Sequence, residues 1–273
     1  MLAVLACLTA PVARGAEREP EPTRPVTVTV VYDNNPDKQG LATDWGFACV
    51  VRGLEKTILF DTGAKGELLL RNMKKLDVTP GEIDAVVLSH IHGDHVGGLD
   101  EFLERNSDVT VVLPAAFPTR FKLRVRRAGA KIVQTLAPHE VCPGARTTRV
   151  LGGGIREQGL CVQTPEGPLV ITGCAHPGVV AITKAAVLDR KQPVRAVLGG
   201  FHMRHAPRRE IAGVIRALAK LGVRKAGPCH CSGDETRAMM KKAFGGGYLS
   251  VGVGSEIRFA ESEDEADDQP VGD

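Results

Sequence analysis

The chain of 273 residues is long enough for a substantial buried core, since 43% of its residues are hydrophobic and 25% are charged. Its formal net charge at pH 7 is only +3, so the composition does not predict binding to nucleic acid. The apolar run near the first residue is shorter than the roughly 20 residues that a membrane-spanning helix needs, and no membrane span is predicted.

The two ends of the chain differ in composition from the middle. Residues 1–16 have a short apolar stretch followed by small residues, which predicts a signal peptide, and the polar, proline-containing residues 17–25 predict a disordered linker. Cys7 in the sequence VLAC offers an alternative, in which the exported protein is a lipoprotein. Both interpretations predict export, to the periplasm.

Residues 261–273 predict a disordered acidic tail, because they carry seven acidic residues, no basic residue and almost nothing to bury. Without these seven negative charges, the formal charge of the remaining chain rises from +3 to about +10. This balance favours anionic substrates, although scattered surface lysines and arginines are the ordinary explanation.

Strand-like and helix-like stretches alternate through residues 26–260, which we predict to form one domain. Apolar and β-branched runs predict strands at 26–33, 45–53, 56–61, 84–89, 109–114, 131–135, 159–164, 168–173, 194–200 and 249–254. Amphipathic spacing predicts helices at 66–76, 95–104, 117–129, 178–190, 208–222 and 234–244. Runs of strands punctuated by helices predict an α/β (α+β) fold with two sheets packed face to face and helices outside.

The densest polar motif is SHIHGDHVGG at residues 89–98, which places three histidines and one aspartate within six positions. Imidazole and carboxylate are the ligands that borderline divalent metals prefer, and the motif lies between a predicted strand and a predicted helix. A surface loop can also collect polar residues by chance. The position at a strand's carboxyl end favours a metal site.

Four more motifs are typical of strand ends and carry residues of the same chemical types. Asp61 lies in LFDTG, Cys174 and His176 lie in ITGCAHPG, His202 lies in GGFH, and His230 lies in GPCHCSG. Six of the eight histidines therefore fall at strand-to-helix junctions, which random placement rarely produces. We expect these side chains to meet at one edge of the sheets.

Taken in order, these motifs resemble the metallo-β-lactamase superfamily. The stretches VYDNN, WGF, TGCAHPGVV, CHCSG and VGVGSEI resemble more narrowly the branch labelled 7,8-dihydropterin-6-methyl-4-(β-D-ribofuranosyl)aminobenzene-5′-phosphate synthase. The resemblance implies a four-layer αββα sandwich with a site for two divalent metal ions, most simply Zn²⁺, at one edge.

The same resemblance implies roles for the residues of the motifs. His90 and His92 would hold the first metal, Asp94 and His95 would hold the second, and His230 would complete the second site.

The middle of the expected ligand set departs from the superfamily pattern. Cys174 stands where an aspartate that bridges the two metals is usual, and His176 follows two residues later. We expect His176 to bind the first metal. Cys174 is either a metal ligand, which would favour zinc, or a small buried hydrophobic residue.

Further residues have a functional interpretation and a plain one. Asp61 would accept hydrogen bonds from the loop at residues 89–98 and orient a ligand histidine, or would only form a turn. His202 would act in catalysis by donating to a substrate oxyanion, or cap the next helix. Asn34 and Ser255 would bind substrate at the mouth of the site, although an Asn-Asn-Pro stretch is equally typical of a turn.

These expectations combine into a metal-dependent hydrolase for a small anionic substrate such as a phosphoester or phosphodiester. A hydroxide bound by the metals would be the nucleophile, oriented by Asp94 as a catalytic ligand. Two alternatives keep the fold: a synthase that joins a dihydropterin to an aryl amine, and a non-enzymatic periplasmic metal-binding protein. The sequence does not determine the oligomeric state.

Overall fold

A computed structural model describes residues 24–260 of the chain. The predicted signal peptide with Cys7, most of the predicted linker and the predicted acidic tail lie outside these residues. Within them, no helix combines the length and apolar character needed to cross a membrane. The strands are β1 (Val26–Tyr32), β2 (Ala48–Arg52), β3 (Ile58–Phe60), β4 (Ala85–Val87), β5 (Thr110–Pro114), β6 (Lys131–Thr135), β7 (Glu140–Cys142), β8 (Ala145–Thr147), β9 (Leu160–Val162), β10 (Leu169–Thr172), β11 (Ala196–Gly200), β12 (Lys225–Cys229) and β13 (Glu256–Phe259).

The helices lie between the strands at the places that their amphipathic spacing predicts. Only the segment after β4 differs, because Gly97 and Gly98 divide the predicted helix 95–104 into two short ones. The helices are α1 (Gly66–Lys75), α2 (Gly93–Val96), α3 (Leu99–Arg105), α4 (Thr119–Arg127), α5 (Val179–Arg190), α6 (Arg208–Lys220) and α7 (Asp234–Phe244).

The described strands form two sheets. The first has the order β13-β1-β2-β3-β4-β5-β6, and the second has the order β12-β11-β10-β9-β8-β7. In the first sheet β3, β4, β5 and β6 run parallel to one another, and in the second β10, β11 and β12 do the same. Each of these parallel connections passes through a helix or a long loop, as parallel pairing requires.

The apolar residues form three buried groups that separate four layers. One group lies between the sheets and includes Val51 from the first and Leu169 from the second. The next joins the first sheet to α1, α3 and α4. The third joins the second sheet to α5, α6 and α7. Alternation along the strands produces this division: Val50 faces the helices, whereas its neighbour Val51 faces the other sheet. The predicted αββα sandwich is therefore confirmed.

Candidate metal centre

The loops that follow β3, β4, β10, β11 and β12 contain the polar motifs found in the sequence. Asp61 follows β3, His90 follows β4 after two residues, and His230 follows β12 directly. Because the carboxyl ends of parallel strands meet at one edge of a sheet, these loops from the two sheets converge. The structure brings together eight predicted residues there: Asp61, His90, His92, Asp94, His95, Cys174, His176 and His230.

One set of donor atoms comes from Asp94, His95, Cys174 and His230. The Nε2 atom of His95 lies 3.2 Å from Cys174 Sγ and 3.3 Å from His230 Nε2, and the last two atoms are 3.3 Å apart. Asp94 Oδ2 lies 3.4 Å from His230 Nε2 and 3.7 Å from His95 Nε2. Four donor atoms from three loops thus face a common point.

A second set adjoins the first and shares Cys174 with it. His90, Cys174 and His176 each offer a donor atom within 4.8 Å of the others. His92 completes this group, because its Nδ1 atom lies 3.1 Å from His176 Nε2 and its ring centroid lies 4.7 Å from that of His90. Cys174 is 4% exposed and therefore buried, but its sulfur faces both sets.

Hydrogen bonds fix which nitrogen of each buried histidine is left bare. Ser89 Oγ donates to Asp61 Oδ2, so it accepts from His90 Nδ1–H, and the buried Nε2 atom of His90 has no partner among residues 24–260. His95 Nδ1–H donates to Asp61 Oδ2, and His230 Nδ1–H donates to the side-chain oxygen of Asn34. All three rings therefore present an Nε2 lone pair to the same space.

This arrangement fits a borderline divalent cation. Two unprotonated Nε2 atoms cannot hydrogen-bond each other, yet those of His95 and His230 lie only 3.3 Å apart. Nitrogen and sulfur ligands at about 2.0–2.3 Å from a tetrahedral Zn²⁺ are separated by about 3.3–3.8 Å, which matches these spacings. A cation between His95 and His230 would relieve the repulsion between these lone pairs, and a second one in the adjoining set would give the orphaned His90 nitrogen a partner.

Asp61 is completely buried and uses both of its oxygens to organise the loop after β4. Ser89 N–H donates to its Oδ1 atom over 2.7 Å, while Oδ2 lies 2.7 Å from both Ser89 Oγ and His95 Nδ1. Burial alone would lower the pKa of His95, but the adjacent carboxylate outweighs it and raises that pKa. A carboxylate that holds the far side of a ligand histidine is a recurrent feature of metal sites.

Asn34 holds the ring of His230 and does not point to open solvent. Its amide nitrogen donates to the main-chain oxygen of His230 over 3.2 Å, and its amide oxygen accepts from the ring over 2.9 Å. The neighbouring Asp33 accepts from His230 N–H over 3.1 Å. The contact of Asn34 with substrate stays a prediction, since the structure shows a positioning contact instead.

Ser255, the other residue expected to bind substrate, has its hydroxyl engaged elsewhere. The side chain is 4% exposed, accepts from Gly252 N–H and donates to Asp37 Oδ2. The structure does not bring it together with the histidines by any hydrogen bond among the described residues. These bonds instead fix the turn that leads into β13.

Glu157 is a buried residue that the sequence analysis missed. Its Oε1 atom accepts from the main-chain N–H groups of Cys174 and Ala175 over 3.0 and 2.7 Å, and Oε2 accepts from His176 N–H over 2.8 Å. One carboxylate thus holds the turn that carries Cys174 and His176. Burial raises its pKa to about 7, against the opposing effect of these hydrogen bonds. No motif marks it, because it lies in the loop between β8 and β9, outside the strand-end motifs.

His202 and Cys231 form a pair at the border of the cluster. The ring of His202 lies 4.4 Å from that of His176, and its main-chain N–H donates to Cys231 Sγ over 3.3 Å. A hydrogen bond with Cys231 raises the pKa of His202, which therefore holds its proton more firmly. Hydrogen bonding with Cys174, and then with His202, lowers the pKa of Cys231. His202 is exposed and borders the centre rather than lying within it.

The charge states of the other donors also suit a cation. Burial lowers the pKa of His90, and the neighbouring histidines add to this effect. Burial, followed by the charge of His202, lowers the pKa of His176 to about 4. Burial opposes ionisation of Asp94, but its contacts with His230 and then with His95 outweigh burial and lower its pKa. At neutral pH the imidazoles of His90 and His176 are neutral and Asp94 is ionised, as metal ligands must be.

A groove of 570 Å³ opens beside His176. It is lined by residues 151–155, which include three successive glycines, and by Pro177 and Ala181. The groove adjoins His176 and has both a polar and an apolar lining, so it can accommodate the part of a ligand that does not react.

Comparison with known sequences agrees with this geometry. The family model described as the metallo-β-lactamase superfamily matches residues 46–230. The chain is also 29% identical over 252 residues to the 7,8-dihydropterin-6-methyl-4-(β-D-ribofuranosyl)-aminobenzene-5′-phosphate synthase of Methanocaldococcus jannaschii. That match covers 76% of this chain and 86% of the synthase.

Solved structures show the same fold. Tm1679, a metal-dependent hydrolase of the β-lactamase superfamily, superposes with a TM-score of 0.72 at 25% identity over 86% of this chain and 100% of that one. A diphosphatase from the PhnP family has a TM-score of 0.59 at 15% identity, covers 86% of this chain and 97% of its own, and shows a shared fold alone. The resemblance found in the motifs is confirmed, and the chain belongs to the metallo-β-lactamase superfamily.

Proposed function

We propose that this protein is a metal-dependent hydrolase that acts on a small anionic substrate, such as a phosphoester or phosphodiester. The observation that carries the proposal is the convergence of two donor sets on Cys174, with the bare Nε2 atom of His90 buried among them. Family membership supports metal-dependent hydrolysis as the type of chemistry. The class of substrate and the identity of the metal go beyond family membership and are proposed here.

The two donor sets fit two cations, for which zinc is the simplest choice because Cys174 contributes a thiolate. His90, His92 and His176 would hold one, while Asp94, His95 and His230 would hold the other, with Cys174 facing both. When bound, such cations supply Lewis acidity and lower the pKa of a water toward neutrality.

The surrounding side chains have roles of their own in this proposal. Asp94 is partly exposed and ionised, so its carboxylate can orient the attacking water and accept its proton. His202 stands at the border of the cluster with a raised pKa, so its imidazole can donate to the oxygen on which charge develops. Glu157 and Asp61 keep the ligand loops in place without contacting substrate.

A cation at the rim favours an anionic substrate. The guanidinium of Arg204 lies 5.3 Å from the centroid of the Trp45 ring, and this ring lies 4.7 Å from that of His230. Trp45 is 40% exposed although it is large and aromatic, which suits a surface that contacts ligand. Together with the groove beside His176, this rim can bind a substrate that has both an anionic and an apolar part.

The test combines metal analysis with a substrate panel of phosphomonoesters, phosphodiesters, lactones and β-lactams. We expect a phosphoester or phosphodiester to be hydrolysed and the His92→Ala variant to lose at least ~100-fold in kcat/KM, because it removes a ligand. The matched control is His139→Ala, which removes a partly buried histidine whose main chain, rather than its ring, bonds to Thr147. Unchanged turnover by His92→Ala would reject the mechanism.

A second candidate activity is that of a synthase joining a dihydropterin to an aryl amine. The similarity to the Methanocaldococcus jannaschii synthase favours it, because the match covers 86% of that protein. Incubation of the metal-loaded protein with a pterin methyl diphosphate and an aryl amine tests it directly, with product detected by mass spectrometry. Condensation without hydrolysis of any panel substrate would replace the hydrolase proposal.

The proposal also includes export to the periplasm, for which the N-terminal sequence of the protein recovered from cells is the measurement. Cleavage after residues 13–16 supports a simple signal peptide, whereas a lipid on Cys7 supports the lipoprotein alternative. A cytoplasmic protein that retains these residues would contradict export and favour the synthase. A protein that binds metal but turns over no substrate would be a metal-binding protein only.

A further inference from the structure

A third group of donor atoms lies beside the proposed centre and shares only Cys174 with the two sets that would hold its cations. It consists of Cys174, His202 and Cys231, whose donor atoms all lie within 4.8 Å of one another. Two of these residues, His202 and Cys231, belong to neither of the other sets. Cys231 is 5% exposed, and His202 is exposed at the mouth, so the group connects the buried centre with solvent.

The backbone of three loops is arranged to bring this group together. Cys231 Sγ lies 3.6 Å from the main-chain oxygen of Cys174 and accepts from His202 N–H over 3.3 Å. Gly200 leaves the necessary room, because a Cβ atom there would lie 2.8 Å from Cys231 Sγ and 3.2 Å from Cys174 Cα. The same Cβ would lie 2.3 Å from the main-chain oxygen of Gly173, so a larger residue at this position would force these atoms to shift.

The backbone turn at His202 also helps to bring this group together. His202 has a positive φ of 53°, a left-handed conformation that residues other than glycine seldom adopt. This turn aims its N–H at Cys231 Sγ while its ring lies against that of His176. Unusual backbone conformations of this kind are concentrated at functional sites.

We propose that Cys174, His202 and Cys231 form an additional binding site for a thiophilic cation, such as Zn²⁺ or Cd²⁺. Two thiolates and one imidazole select soft or borderline metals over Mg²⁺ or Ca²⁺ and leave a fourth position for solvent. The inference rests on the proposed function, because Cys174 faces all three sets. A cation here uses the His202 imidazole as a ligand and withdraws it from proton donation to substrate.

Cadmium titration of the protein, stripped with a chelator and kept reduced, tests this site. Wild type is expected to bind one more Cd²⁺ per chain than Cys231→Ser, whose thiolate-to-cadmium absorbance should fall to about half because one of two thiolates is lost. His202→Ala should lose the same cation, and it changes an exposed side chain, so the test does not depend on one buried substitution. Cys142→Ser is the matched control, since this buried cysteine lies on β7 outside all three sets.

The outcomes separate the additional site from the proposed centre. Loss of one Cd²⁺ in both Cys231→Ser and His202→Ala, with normal binding in Cys142→Ser, supports the site. Equal stoichiometry and absorbance in wild type and Cys231→Ser would overturn it while leaving the hydrolase proposal intact. His92→Ala should lose a different cation and keep the thiolate absorbance. Absence of any Cd²⁺ binding by wild type would overturn both proposals.

Discussion

Asp61 serves three hydrogen-bond donors with two oxygens, and an amide cannot replace it. In an Asp61→Asn variant, the NH₂ group must face either Ser89 N–H or the pair formed by Ser89 Oγ and His95 Nδ1. Either orientation sets donor against donor, so His95 loses its tautomer or its orientation. We expect metal affinity to fall about 10–100-fold, measured by competition with a chromogenic chelator.

The control for this variant is Asp77→Asn. Asp77 has nearly the same left-handed backbone, with φ 53° against 57° for Asp61, but it is exposed. Asparagine tolerates this conformation, so the backbone should not respond at either position. Equal metal affinity in both variants would show that Asp61 does not orient a ligand.

Glu157 offers a test of the turn that carries Cys174 and His176. Glu157→Ala leaves three main-chain N–H groups without their acceptor in a buried place. Because each unsatisfied buried donor costs about 1–3 kcal/mol, and water will reach some of them, we expect a loss of about 2–4 kcal/mol in the free energy of unfolding. Urea denaturation measures it, with the exposed Glu140→Ala as control at under ~0.5 kcal/mol.

The difference between Asp61 and Glu157 shows what the sequence reveals about single residues. Asp61 lies in a recognisable motif at a strand end, so its place could be expected. Glu157 has no such signal, and Cys231 lies in the motif GPCHCSG but was not assigned a role, since both act through contacts with the loop that carries Cys174. A sequence pattern shows local spacing, whereas these contacts depend on how the two sheets pack.

At the level of elements, the pairing of parallel strands explains why the motifs meet. His176, His202 and His230 follow β10, β11 and β12, which are neighbours in one sheet. Hydrophobic runs predicted β10 and β11 and the motif positions at their ends. Since the carboxyl ends of parallel neighbours lie together, convergence could be inferred before the structure was known.

The last predicted strand, at residues 249–254, is wrong. Val251 and Val253 are buried as expected, but the chain there is a loop and β13 begins at Glu256. Gly252 and Gly254 allow the loop to press against the turn near Pro36, where a Cβ on Gly252 would lie 2.7 Å from a main-chain oxygen. The alternation of valine and glycine therefore reflects a loop whose backbone packs closely against another segment. Periodicity alone cannot distinguish such a loop from a strand.

Gly173 provides an element-scale prediction, because it joins the end of β10 to the loop after β4. A Cβ there would lie 2.1 Å from Ser89 Oγ and 3.0 Å from Asp61 Oδ2. Ser89 cannot turn away without breaking its bonds to Asp61 and His90. We expect Gly173→Ala to lower the free energy of unfolding by about 1–3 kcal/mol in urea denaturation and to weaken metal binding.

Gly213 gives the matched substitution with the opposite sign. It lies inside α6, and nothing lies within 4 Å of the Cβ position. Gly213→Ala should therefore raise the free energy of unfolding by about 0.5–1 kcal/mol through helix propensity alone. If both variants change stability in the same direction, close packing at Gly173 is not the cause.

At the scale of the whole molecule, the donor cluster lies at the edge of the four-layer sandwich, where the carboxyl ends of the parallel strands of both sheets meet. The two sheets support the cluster from both sides. Asp61 binds the loop after β4, and Glu157 binds the loop after β10. The buried carboxylates and imidazoles titrate within this frame, so the stability of the metal-free protein must depend on pH. Burial raises the pKa of Glu157 but lowers that of His176. As pH rises, the titration of Glu157 therefore lowers the free energy of unfolding, whereas that of His176 raises it.

The pH dependence of unfolding isolates the part due to Glu157. Its pKa is about 7 in the folded protein and 4.5 as the ordinary value, so between these pH values the folded state holds a proton that the unfolded state lacks. This contribution is fully present below pH 4.5 and is lost as pH rises through 7, amounting to about 3 kcal/mol. The free energy of unfolding of wild type and of Glu157→Gln is measured in the presence of a chelator from pH 5 to 8. Over this range we expect wild type to lose about that much stability relative to the variant, because the titration of all other groups is the same in both proteins. Parallel curves would show that Glu157 stays ionised throughout, with its three N–H donors outweighing burial.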